Sequence, residues 1–222
     1  MRVLIIGANG KIGRQLVSEM QSDSNFSPVA MVRQTNQYQT LLSQGVETAL
    51  GNLESSVDSL SKLMIKNKIE AVVFTAGSGG HTGADKTVLI DLDGAIKSMK
   101  AAKESKIERF IIISSFASNL WHDNHVPESV KSLGYYSAAK FYADEWLKKS
   151  GLDYTIIRPG RLTDNQATGH IQIGQLTEAS EVSRADVVSV IIEVLNNEQT
   201  IKKDFDVVNG STPIALALRE MI

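Results

Sequence analysis

Hydrophobic and polar positions along the chain switch repeatedly between two periods. Short apolar runs stand at Val3 to Ile6, Pro28 to Val32, Val46 to Leu50, Ala71 to Thr75, Phe110 to Ile113, Tyr154 to Ile157 and Asp204 to Val208. Between them apolar residues recur at helical spacing: Ile12, Leu16, Val17 and Met20; Val57, Leu60, Leu63 and Met64; Leu89, Leu92, Ile96, Met99 and Ala102 within one long helix from Val88 to Ser105; and Val187, Val188, Ile191, Ile192 and Leu195 behind a capping Ser183. Residues 36 to 44 make a further short helix closed by Gly45, Tyr135 to Lys149 another that stops near Gly151, and Pro213 opens a short terminal one. Continuous apolar runs alternating with amphipathic helices predict an α/β fold on a parallel sheet buried on both faces.

The first strand breaks on glycine. In Gly7-Ala8-Asn9-Gly10-Lys11-Ile12-Gly13 the three glycines fall where strand becomes helix. Gly7 permits the tight turn, Gly10 lets backbone N–H groups approach a pyrophosphate, and Gly13 brings helix and strand close. The helix N-terminus offers unpaired donors and the positive end of its dipole to phosphates. We therefore expect Gly7, Asn9, Gly10, Lys11, Ile12 and Gly13 to form a dinucleotide cradle in a Rossmann-type doubly wound sheet of order 3-2-1-4-5-6, with room for a seventh strand. The GxxGxxG spacing fits short-chain dehydrogenases better than the lactate-dehydrogenase branch.

Arg33 ends the second strand, 20 positions beyond Gly13, with no carboxylate in Gln34-Thr35-Asn36. An acidic residue there holds the ribose 2′-OH of NAD, whereas an arginine accommodates the 2′-phosphate of NADP, so NADP is expected in preference to NAD. Asn52 and Leu53, in the loop after the third strand, fall near the adenine. Thr75, Ala76 and Gly77 open a run of small residues beside which a cofactor ribose can pass, and His81 in the same loop is given no role.

The strand FIIISS delivers Ser114 and Ser115 at its carboxyl end, where open α/β sheets bind ligands. Tyr136 and Lys140 follow, four apart on one helical face. An ammonium beside a phenol favours the phenolate, which suits general acid/base work. Tyr135 lacks a lysine four residues on and is read as packing. The intervening segment 116–134 shows no periodicity and is read as a mobile substrate-side loop; His122 and His125 lack a third well-placed ligand, so no metal is expected.

Taken together, GANGKIG, VVFTAG, FIIISS, YSAAK, YTIIRPGRL and SRADVVSVI resemble the atypical or extended short-chain dehydrogenases/reductases, the small NAD(P)-binding proteins described as NAD-dependent epimerase/dehydratase-like or NmrA-like. The resemblance spans nearly the whole chain. It implies Tyr136 as general acid/base, Lys140 on the nicotinamide ribose hydroxyls, Ser115 polarising a substrate carbonyl with Ser114 as its alternate, and Pro159, Gly160 and Leu162 at the nicotinamide end. The family often carries an Asn early in the helix before the serine strand; aligned on Gly94, this chain has Asp91, a departure that removes support for a relay role there.

Composition narrows the rest. At 222 residues a single domain, 1–222, is expected, with 163–182 and 211–222 as substrate-side additions. Net charge is -2 with charges interspersed, which argues against nucleic acid as partner. The chain has no Cys, excluding disulfides, thiolate metal sites and a cysteine nucleophile. With a strand starting at once and no apolar run of membrane length, a cytoplasmic protein without membrane contact is expected, monomer or homodimer. The function these features predict is an NADP-dependent oxidoreductase acting on a small carbonyl or quinone-like substrate. The alternatives are a redox sensor that binds NADP without turnover and a sugar-nucleotide epimerase with retained NAD.

Overall fold

A computed structural model describes residues 1–79, 82–176 and 178–221. Gly80 and His81, at the end of the loop after the fourth strand, lie outside the described residues. In chain order the elements are β1 (Arg2–Ile6), α1 (Lys11–Ser22), β2 (Ser27–Val32), α2 (Thr35–Ser43), β3 (Thr48–Leu50), α3 (Val57–Lys66), β4 (Ala71–Phe74), α4 (Ala84–Lys86), a π-helical segment (Thr87–Gly94), α5 (Ala95–Glu104), β5 (Arg109–Ile113), a 3₁₀ turn (Ser118–Leu120), α6 (Glu128–Lys131), α7 (Tyr135–Lys149), β6 (Asp153–Pro159), β7 (Arg161–Thr163), β8 (His170–Gly174), β9 (Glu181–Ser183), α8 (Arg184–Asn196), a second 3₁₀ turn (Glu198–Thr200), β10 (Lys203–Asn209), β11 (Thr212–Pro213) and α9 (Ile214–Arg219).

The main sheet runs β11-β8-β10-β6-β5-β4-β1-β2-β3. From β3 to β10 every pairing is parallel, which reproduces the order 3-2-1-4-5-6 with β10 as the seventh parallel strand. Alternate residues of each strand enter opposite cores. Val3, Ile5, Val73, Ile111 and Phe205 pack under α1, α8 and α9, while Leu4, Ile6, Phe74, Phe110 and Ile112 pack under α3, α5 and α7. Each fully buried aliphatic or aromatic side chain contributes about 1.5–3 kcal/mol, so these two layers hold the strand ends, and with them the site, in fixed register.

Several expectations are corrected. The helix expected from Val88 to Ser105 begins as π-helix, whose i→i+5 bonds shift the phase of the buried face. Ile90, Asp91, Gly94, Ser98 and Met99 are buried, while Leu89 is 37% exposed and Leu92 and Ile96 are only half-buried. Segment 116–134 is not a bare loop: Phe116, Ala117 and Val130 form a small core with Val208, and α6 lies within it. Tyr135 is 53% exposed and does not pack, because the first turn of α7 turns Ser137 inward instead. Segment 163–182 is more than a polar cover, since β8 joins the sheet antiparallel to β10 and β7 pairs with β9.

Candidate active site

A cleft of about 440 Å³ opens where the carboxyl ends of β1, β2 and β4 meet the loops that follow them. Strand order reverses between β1 and β4, and open α/β sheets bind ligands at that reversal. Gly7 adopts φ +87°, and a Cβ there would stand 2.6 Å from the Ala76 nitrogen. A Cβ on Gly13 would meet the Gly7 carbonyl at 2.4 Å. Two backbones thus approach at distances only glycine tolerates. Gly10 caps α1 with no side-chain hydrogen bond, and the first turn holds no acidic residue. The N–H groups that begin this helix keep their capacity for an anion, and the residues present fit a dinucleotide pyrophosphate.

Nine of the residues expected to bind cofactor line this cleft: Gly7, Asn9, Gly10, Arg33, Asn52, Leu53, Thr75, Ala76 and Gly77. Arg33 is exposed at its rim. Gln37, Ser78, Thr82 and Lys86 also line it and carried no motif that would single them out. Ile12 and Gly13 are buried behind the turn. Lys11 turns away to Asp164, 2.6 Å from its Nζ, and the same carboxylate accepts from Arg184 Nη1 at 2.6 Å. Asp164 therefore clasps the first residues of α1 and α8.

Tyr136, Lys140 and Ser115 are not among the residues that line this cleft; Lys140 is 2% exposed and its Nζ lies 5.6 Å from the centroid of the half-buried Tyr136 ring. The same Nζ donates to the Ile113 carbonyl at 3.2 Å and stands 3.2 Å from Asp91 Oδ1. The second oxygen of Asp91 accepts from the Ser78 N–H at 2.9 Å. Burial alone would push the Lys140 ammonium down, but Tyr136 and Asp91, with Asp144 beyond, outweigh it and hold the group above the ordinary lysine value. The departure at Asp91 has brought a carboxylate against the lysine.

Ser114 and Ser115 part company at the end of β5. Ser114 is buried and donates to Asp144 Oδ2 at 2.9 Å, an oxygen that also accepts from Ser118 Oγ at 3.2 Å and from Arg158 Nε at 3.1 Å. Arg158 is fully buried and reaches Asp204 with Nη2 at 2.5 Å. Burial works against its charge, but Asp144 and Asp204 outweigh that and raise it further. Next to it, Asp206 accepts from the N–H groups of Ala117 at 2.8 Å and Leu176 at 3.0 Å. Ser115, half-buried two residues beyond the strand, keeps its side chain outside this network. Asp144 and Asp206 belong to no motif, and Arg158 lies within YTIIRPGRL, which implies no role for it.

Pro159 and Gly160 are buried and Leu162 packs on the core, so none of the three lines the cleft. A Cβ on Gly160 would meet the Ser180 carbonyl at 2.2 Å, which gives that glycine a packing reason of its own. His122 stacks on Phe141 and Tyr142, with ring centroids 4.4 and 5.6 Å away. No helix among the described residues is long and apolar enough to cross a membrane.

Residues 7–198 match the family model described as NAD(P)H-binding. A protein of Bacillus subtilis named an uncharacterized sugar epimerase is 42% identical over 221 residues, spanning all of both chains. Among solved structures, a Bacillus halodurans protein assigned as an NAD-dependent epimerase/dehydratase is 42% identical over the whole of both chains, with a TM-score of 0.88. An oxidoreductase of Lactococcus lactis is 31% identical, covering 100% of this chain and 96% of its own, with a TM-score of 0.87. The glycine turn, the strand order and these matches agree: the chain belongs to the NAD(P)H-binding family of Rossmann-type epimerase- and oxidoreductase-like proteins.

Proposed function

We propose that the protein is an NADP-dependent oxidoreductase acting on a small carbonyl or quinone-like substrate. The observation that carries this reading is a buried lysine against a half-buried tyrosine, with the lysine ammonium on the Ile113 carbonyl at the carboxyl end of β5. NADP, when bound, supplies or accepts the hydride at its nicotinamide ring. Tyr136 gives or takes the proton on the substrate oxygen, and Lys140 holds the ribose hydroxyls and sets the field around the phenol. Ser115, free of the network that engages Ser114, polarises the carbonyl. Arg33 at the cleft rim receives the 2′-phosphate, and its bidentate guanidinium makes NADP the better ligand. The remaining cradle residues, Asn9, Gly10, Asn52, Leu53, Thr75, Ala76 and Gly77, orient the dinucleotide.

Tyr136→Phe tests the assignment. Turnover of a substrate found from a carbonyl and quinone panel should fall at least about 100-fold, as expected when a general acid is removed. NADPH affinity, read by fluorescence, should stay nearly unchanged, and unaltered turnover would count decisively against the role. The name given to the Bacillus subtilis relative favours a second reading, an epimerase that retains its dinucleotide. That reading expects dinucleotide to co-purify with the protein and no net NADPH consumption with any acceptor. A third reading, a redox sensor, expects tight NADP binding with no turnover on the panel.

A further inference from the structure

Asp91 is fully buried, and the reaction just proposed makes no use of it. It lies in the π-helical segment, and π-turns inside helices gather at functional sites. The widened turn points Asp91 inward at the level of Lys140. Its two oxygens are divided between the lysine ammonium, at 3.2 Å, and the backbone N–H of Ser78, at 2.9 Å, a residue that lines the cofactor cleft. One carboxylate thereby ties the lysine on α7 to the loop after β4.

We propose that Asp91 is the positioning residue of this site: it keeps Lys140 charged and aimed at Tyr136, and the π-helical segment serves to present it. The physical requirement is strict, because a buried lysine without a counter-charge readily loses its proton. The other groups near the ammonium add to its charge without supplying a permanent, uncommitted counter-charge at ion-pair distance. The Ile113 carbonyl from β5 is a neutral acceptor, and Tyr136 from α7 carries charge only once its phenol ionises. Asp144, one turn further along α7, is committed to Arg158 from β6, which Asp204 from β10 also engages. Among the described residues, Asp91 is the carboxylate within ion-pair distance of Lys140.

A consequence bears on direction. With Tyr136 as a neutral phenol, the ammonium and the Asp91 carboxylate cancel, so the constellation is electrically balanced while it still has a proton to give. That balance suits the site to reduction. This consequence rests on the proposed roles of Tyr136 and Lys140; the ion pair itself does not.

The test reads Lys140 directly. Protein labelled with ¹³C at the lysine ε-carbon is titrated by NMR, with Lys140→Arg identifying the resonance. In the wild-type protein Lys140 should be charged at neutral pH, with its midpoint above the ordinary lysine value. In Asp91→Asn, shown to be folded by circular dichroism and by NADPH binding, its midpoint should fall by at least about one pH unit. Asp91→Glu, which keeps the charge, should restore most of the loss. If Asp91→Asn does not fold, Asp91→Ser carries the same comparison. A wild-type Lys140 neutral at pH 7, or a midpoint that does not move when the carboxylate is removed, overturns the proposal. Neither result touches the Tyr136→Phe experiment, so failure here is separable from failure of the proposed reaction.

Discussion

Neighbouring residues at the end of a parallel strand face opposite ways, and Ser114 and Ser115 divide the two sides between them. Ser114 keeps its backbone in the sheet, donating to the Ile157 carbonyl, and turns its hydroxyl to Asp144 beneath α7. Its loss leaves a buried carboxylate short of a donor, at a cost of about 1–3 kcal/mol. Ser114→Ala should therefore lower the urea midpoint. Ser115→Ala should leave that midpoint within about 0.5 kcal/mol while lowering turnover of an identified carbonyl substrate about 100-fold, the usual penalty for one lost donor at a developing oxyanion. The Ser-Ser dipeptide, read without its neighbours, leaves the two equivalent. Tyr136 and Lys140 were legible because a four-residue spacing fixes them on one helical face. The partners of Lys140 and Ser114 were not, since Asp91, Asp144 and Arg158 meet them only through tertiary packing.

At the level of elements, periodicity identified every long helix and every parallel strand of the main sheet, missed the parallel pair of β7 and β9, and failed where local geometry left the standard period. The π-helical segment is the clearest case: with the phase shifted, the stripe drawn through Leu89, Leu92 and Ile96 misses the buried Ile90 and Asp91. Segment 163–182 was opaque for another reason. Beside the strand pairings of β8 and β9, part of its order comes from a buried carboxylate that apolar spacing does not mark. Asp186, in the first turn of α8, accepts from the N–H groups of Thr168 at 3.0 Å and Gly169 at 2.8 Å and from the Ser183 hydroxyl at 2.8 Å. Asp186→Ala should free that strap, raising amide exchange at Thr168 and Gly169 and costing about 2–4 kcal/mol in denaturant unfolding. Ser183→Ala, which removes the helix cap and leaves the strap's own bonds to Asp186 in place, should cost only about 1 kcal/mol. Similar exchange at Thr168 in both variants would argue that the strap is held by something else.

Over the whole molecule, the strand order and the position of the cradle followed from alternating elements and three glycines, because crossover connections leave a parallel sheet few arrangements. The antiparallel β8 and two-residue β11 did not follow, because the alternation of Ile171 and Ile173 is too short to mark a strand and Thr212-Pro213 has no apolar pattern. On the proposed reading cofactor choice is a property of this scale, since Arg33, directly after β2, would act on a ligand held at the ends of β1 and β4. At about 100-fold excess over its dissociation constant a ligand adds about 2.7 kcal/mol to stability. NADPH should therefore raise the melting temperature of the wild-type protein more than NADH at equal concentration, and Arg33→Ala should erase most of that difference. Equal shifts by the two dinucleotides before and after substitution would remove Arg33 as the source of preference.

The close approach of Gly7 to Ala76 also bears on the time course of folding. Ile6 and Thr75, whose hydrogen bonds close this wall of the cleft, are 69 residues apart, and β1 must wait for β4 before the cradle exists. Contacts of such sequence separation pay their loop-closure entropy before they return any stability. A nucleotide then meets a chain whose sheet is already assembled, so its hold is exerted mainly on the rate at which the native protein comes apart. On this view the bound dinucleotide is a brake on unfolding and leaves the speed of folding to the bare chain.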